Sequence, residues 1–141
     1  MIKTHVTRDT GVLQDMLNRI QNPQKVLESI GKALVTSTKT RIEKTKVSPD
    51  GKPFAPWALS TLIARKKEGT TALGILHRTG SLSASIVYEV QGRSVIVKST
   101  SPYAGYLQDG TSKMPARPFI GISGQNRGQI NLILKNYLKF H

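Results

Sequence analysis

The sequence predicts an α+β fold in which N-terminal and C-terminal helices pack on a small antiparallel β-sheet, with long loops joining them. Three observations carry that expectation. Apolar residues recur at helical spacing over 10–46 and again over 125–140. They alternate with a period of two over 84–90, and proline and glycine break the pattern between these stretches. With 141 residues, of which 38% are hydrophobic, the chain has the size of one domain spanning 1–141 with one modest core.

In chain order, Asp9 or Thr10 caps a first helix that ends near Gln21 and carries Val12, Leu13, Met16, Leu17 and Ile20 on one face. Asn22 and Pro23 form a cap and first-turn pair that opens a longer helix to about Lys46. Its buried stripe reads Val26, Leu27, Ile30, Ala33, Leu34 and Ile42, and Lys25, Lys32, Lys39 and Lys46 make a basic stripe seven residues apart. From Val47 to Trp57 the prolines and glycine dictate a turn-rich loop. Ser48-Pro49-Asp50-Gly51 suits a β-turn, and Phe54 and Trp57 are large enough to pin the loop to the core.

A short helix is expected over Ala58–Lys67, followed by a patternless excursion from Glu68 to Gly74. In Thr79-Gly80-Ser81-Leu82-Ser83 the hydroxyls suit a capped turn before a strand containing Ala84, Ile86, Tyr88 and Val90. Gln91-Gly92 turns that strand into an antiparallel partner through Val95, Ile96 and Val97. Ser101-Pro102 opens a short helix over Tyr103–Gln108 closed near Gly110, and Thr111 to Arg117 reads as extended and exposed. The last helix, from about Gln125 to Phe140, sets Ile130, Ile133, Leu134, Tyr137 and Leu138 on one face.

Charge is the loudest compositional feature. Lys and Arg number 21 against 8 Asp and Glu, a net charge of +13. Residues 1–70 carry 13 bases and 6 acids and residues 71–141 carry 8 and 2, so the halves net +7 and +6 and no basic arm stands apart. A solvated basic surface and an electrostatic face toward acidic proteins or DNA both fit. There are no cysteines, and His5, His77 and His141 lack metal-ligand spacing, so neither cofactor nor metal is expected. No stretch has the roughly 18 apolar residues of a membrane span, and no signal peptide is evident.

Catalytic readings find little support. The acids are few and scattered, and Ser29-Ile30-Gly31-Lys32 matches Ser-x-x-Lys only inside an amphipathic helix, without accompanying motifs. Gly121-Ile122-Ser123-Gly124 has the form of a KH-type glycine loop, but it follows the extended Met114–Pro118 stretch instead of joining two helices. A turn into the last helix is the better reading.

Four ordered blocks resemble the phage virion morphogenesis family of tail-completion proteins. They are Ser48-Pro49-Asp50-Gly51 with Trp57, Ile75-Leu76 with Thr79-Gly80-Ser81-Leu82, Tyr103-Ala104 with Gly110, and Pro115-Ala116-Arg117-Pro118-Phe119-Ile120-Gly121. The family usually carries a His-Gln-x-Gly-like stretch where this chain has Leu107-Gln108-Asp109-Gly110, so no role for that histidine transfers. The resemblance implies a non-enzymatic assembly subunit in the virion tail or neck, made in the host cytoplasm and forming a ring with itself and with tail or head-tail connector proteins. Non-specific DNA contact is compatible with such a subunit, and a basic nucleic-acid-binding module acting in packaging or regulation is the rival expectation.

The subunit interface is expected at Pro49, Asp50, Gly51, Trp57, Tyr103, Arg117, Pro118 and Phe119. Two prolines stiffen the last block, leaving Arg117 and Phe119 two roles each. Phe119 plugs the core and Arg117 pairs with a carboxylate such as Asp109, or both anchor a neighbouring subunit. The loops over 48–57 and 68–74 are expected to contact neighbours.

Overall fold

The computed structural model describes residues 3–5, 23–69, 71–76 and 80–140. The helix expected before Gln21 lies outside them. Within them the architecture is α+β, with a three-stranded antiparallel sheet in the order β1-β3-β2. Strand β2 (Ile86–Gln91) and strand β3 (Ser94–Ser99) form the expected hairpin, running in register from Ile86 opposite Ser99 to Gln91 opposite Ser94. Strand β1 (Lys3–His5) adds to the far edge of β3, a pairing that three residues of sequence do not announce.

Helix α1 (Gln24–Thr40) starts just after Pro23, whose carbonyl accepts the Leu27 amide at 2.9 Å. Its inward face is Val26, Leu27, Ile30, Gly31, Leu34 and Thr38. It touches both strands of the hairpin and the terminal helix α5 (Gly124–Phe140), so it is the central element of the core. Gly31 is where α1 approaches β2. A Cβ there would stand 2.4 Å from Tyr88 Cδ2, so the glycine within Ser29–Lys32 serves packing. The Ser29 hydroxyl simply donates to the Lys25 carbonyl at 3.2 Å.

The long helix does not reach Lys46 as a regular α-helix. It widens into a π-helical turn over Arg41–Thr45, closed by the Lys46 amide on the Arg41 carbonyl at 3.0 Å. That wider turn leaves neighbouring Arg41 and Ile42 both buried. Lys46 departs from the basic stripe. Its backbone is left-handed, and its ammonium folds inward to donate to the carbonyls of Ile42 and Ile75. Burial is the main cause that lowers its pKa. Lys25 and Lys32 remain exposed.

Three further expectations are corrected. Ala84 does not begin a strand but ends a short helix, α3 (Ser81–Ala84), after helix α2 (Leu59–Glu68). No side chain caps α3, because its N-cap residue is Gly80; the nearby hydroxyls are used across the fold, Ser83 donating to Glu43 at 2.7 Å and Ser85 pairing with Ser99 at 2.7 Å. Residues 71–73 form a 3-10 turn within the excursion expected to lack pattern. After helix α4 (Ala104–Asp109), residues 111–114 fold into a tight turn with Thr111 bridged to Met114, so the stretch to Arg117 is not simply extended.

Candidate functional site

Outside the β2-β3 hairpin, the loops of the Val47–Ser123 half are tied together by side chains that reach backbone groups. Gln108, at the end of α4, is their central clamp. Its carbonyl oxygen accepts the Phe119 and Ile120 amides at 3.0 and 3.1 Å, and its amide nitrogen donates to the Ile120 carbonyl at 2.8 Å. The Arg117 amide adds a bond to the Leu107 carbonyl at 2.7 Å. Together these bonds make the Pro115–Gly121 segment a fixed partner of α4 although neither stretch is in the sheet.

Arg117 then extends the clamp to the other loop. Its Nε donates to the Ala55 carbonyl at 2.8 Å and its Nη2 to the Pro56 carbonyl at 2.7 Å. The carboxylate partner expected at Asp109 is not the one used: the planar guanidinium fits two successive carbonyls, and Asp109 is exposed. Phe119 is 0% exposed and belongs to the core cluster with Phe54 and Ile120. Of the two roles open to it, core plug is the one it fills within the chain.

Behind this segment lies a buried polar hub. Arg41 donates to the Phe119 carbonyl at 2.6 Å and to Asn126 Oδ1 at 3.2 Å, and Asn126 Nδ2 donates to Ser37 at 2.7 Å. Burial lowers the pKa of both Arg41 and Arg117, and the hydrogen bonds that each cationic guanidinium donates to its carbonyl partners are charge-assisted. Ser123 and Asn126 cap α5 reciprocally: the Asn126 amide donates to Ser123 Oγ at 3.1 Å and the Ser123 amide to Asn126 Oδ1 at 3.0 Å. The glycine loop is therefore a helix start, and Gly121 leaves room for Pro49, whose Cγ would lie 2.6 Å from an added Cβ. Gly110 has φ +76°, and any Cβ would meet the Ala116 backbone nitrogen at 2.7 Å.

These clamps shape a cleft of about 430 Å³ lined by residues from all four sequence blocks, among them Trp57, Leu76, Ser81, Tyr103, Pro115 and Arg117. Arg65 of α2 lies over the Trp57 ring, its Cζ 4.9 Å from the centroid, and donates to the Gly74 carbonyl at 3.1 Å. Beside the cleft, Tyr103, Tyr106, Leu107 and Met114 form an apolar shelf. Tyr103 is 68% exposed and Tyr106 60%.

Residues 5–139 match the phage virion morphogenesis family. The chain belongs to that family. No curated protein and no solved structure matches it significantly. The match covers nearly the whole chain, so the helices outside the four blocks belong to the family fold as well.

The residues expected at the subunit interface of this virion morphogenesis protein thus separate into three groups. Trp57, Tyr103 and Arg117 come together at the cleft, Arg117 as a largely buried wall. Pro49, Asp50 and Gly51 sit apart, in a turn that borders a polar groove between α1 and the start of α5. Phe119 is inside, and Pro118 beside it is half-buried. Sequence reasoning missed Gln108, Arg41, Asn126 and Tyr106. The Ser-x-x-Asn spacing of Ser123 and Asn126, and the match of Gln108 to the glutamine of the family's His-Gln-x-Gly-like stretch, carried the readable signals. Among the described residues no group of three or more metal-ligating side chains occurs, and no helix is long and apolar enough to cross a membrane.

Proposed function

We propose that this virion morphogenesis protein is a non-enzymatic structural subunit that acts as a single domain at the tail end or head-tail junction and self-associates into a ring. The observation that carries this reading is the use made of the four blocks. Their buried members, Arg117 and Phe119, fix two loops into one rigid surface, and half-buried Trp57 and exposed Tyr103 sit on that surface. A surface prepared in this way loses little conformational freedom on contact, which favours assembly.

Neighbouring copies that use one surface against another build a closed ring by heterologous contact. A net charge of +13 opposes that step at low salt, where the Debye length grows to about 30 Å at 0.01 M. Solution mass as a function of concentration and salt tests the proposal. A discrete oligomer that forms as salt rises supports it, and a chain that stays monomeric at every concentration and salt sinks it. The charge also favours a second reading, a nucleic-acid module. A tight, discrete DNA complex surviving physiological salt would establish that one instead.

A further inference from the structure

The cleft beside Trp57 carries charge of one sign. Among the described residues that line it are Arg65, Lys113 and Arg117, and no carboxylate. The rest of its wall is apolar or hydroxyl-bearing, and the shelf formed by Tyr103, Tyr106 and Met114 continues it outward. An occupant must therefore bring an apolar side chain for the rings and negative charge for the cations.

A second copy of this chain is a poor occupant of the cleft itself, so the ring contact between copies is left to the surface outside it. Such a copy carries the same +13, and two of its few carboxylates are already engaged: Asp50 accepts the Lys52 amide at 3.2 Å, and Glu89 accepts Lys98 at 2.9 Å. We propose that the cleft docks an acidic segment of a different protein, one with a bulky apolar side chain set between carboxylates. Its apolar side chain packs against Trp57, Tyr103 and Met114. Its carboxylates meet exposed Lys113 at the rim, over the buried positive charge of Arg65 and Arg117. This inference rests on the assembly reading and specifies the partner that such a subunit recognises.

The single tryptophan of the chain is Trp57, so its fluorescence reports on the cleft alone. The test titrates the full chain with a short synthetic peptide in which one phenylalanine is flanked by glutamates. Control peptides replace the phenylalanine by alanine or the glutamates by glutamine, and an oligonucleotide duplex is titrated in parallel. The parent peptide should shift the Trp57 emission saturably, and each control should bind about tenfold or more weakly, a loss of roughly 1.4 kcal/mol. Lys113→Glu and Tyr103→Ala should each weaken the parent peptide to a similar degree; both side chains are exposed, and far-ultraviolet circular dichroism checks that the variants fold.

No emission shift with the parent peptide overturns the proposal. So does equal binding of the alanine peptide or undiminished binding by Lys113→Glu, since either means non-specific attraction to a basic surface. Tighter binding of the duplex at Trp57 in physiological salt also overturns it, in favour of nucleic acid. Solution mass separates the two readings: an oligomer that ignores the peptide loses only the cleft, and a peptide-binding chain that never self-associates loses only the ring.

Discussion

Around α1 and the β2-β3 hairpin the contacts are mainly apolar, whereas the loop segments at 55–57 and 115–121 are also held by long polar side chains that reach backbone amides and carbonyls. The first kind of contact depends on volume and tolerates any side chain that fills the same space. The second depends on donor and acceptor positions, and no apolar side chain replaces it. The loop surface that we propose for assembly uses the second kind. Its fixed shape therefore depends on hydrogen-bond geometry as well as on the burial of Phe54, Phe119 and Ile120.

Replacing side chains by others of similar volume separates the two regions most directly. In the helix-sheet layer, Leu27 is fully buried, so Leu27→Ala should cost about 2–5 kcal/mol in urea unfolding, while Leu27→Met should cost less than about 1.5 kcal/mol. Near-equal losses for the two variants would mean that shape matters here more than volume. In the loop half, Gln108→Met keeps the volume and removes three hydrogen bonds, stranding the Phe119 and Ile120 amides. It should cost about 1–3 kcal/mol despite conserving volume. A Gln108→Met protein as stable as the parent would show that water satisfies those amides and that the clamp is dispensable.

The contrast also explains what the sequence disclosed. Helix α1, the β2-β3 hairpin and α5 are written in apolar periodicity, a local signal that the two-residue turn at Gly92 and Arg93 reinforces. Strand β1 pairs with residues more than ninety positions away, and its three residues hold no period to read. The clamps were hidden for a related reason. Gln108, Arg41 and Asn126 are polar residues of helical segments, which periodicity assigns to the solvent face. The sequence marks Arg117 as a fork in need of an acceptor, but backbone carbonyls 61 and 62 residues away carry no residue-type signature. A carboxylate was the only partner that side-chain chemistry could suggest.

Arg117→Lys sharpens the comparison at smaller scale. It keeps the charge but not the planar pair of donors that spans the Ala55 and Pro56 carbonyls. Loss of about 1 kcal/mol is expected, together with a shift of Trp57 emission as the 55–57 segment loosens. Unchanged emission with unchanged stability would assign Arg117 a purely electrostatic part in the cleft.

The smallest effect is expected at the Ser48–Gly51 turn, where clamping is exposed to solvent. The Ser48 hydroxyl, and then the Lys52 amide, donate to the Asp50 carboxylate and hold its pKa below the usual carboxylate range. Because the folded value is the lower one, the unfolded chain binds more protons between the two. The turn's contribution is present above the ordinary carboxylate range and is lost as pH falls through the depressed folded value. Pro49 of that turn rests on Gly121, so acid should loosen the start of the last helix along with the turn. Carbon-detected nuclear magnetic resonance titration of the Asp50 carboxyl reads this directly, with the Gly121 amide as a second reporter. Asp50→Asn should abolish the acid-linked change at Gly121, while an Asp50 carboxyl that titrates in the ordinary range would confine the side-chain clamps to the buried part of the loop half.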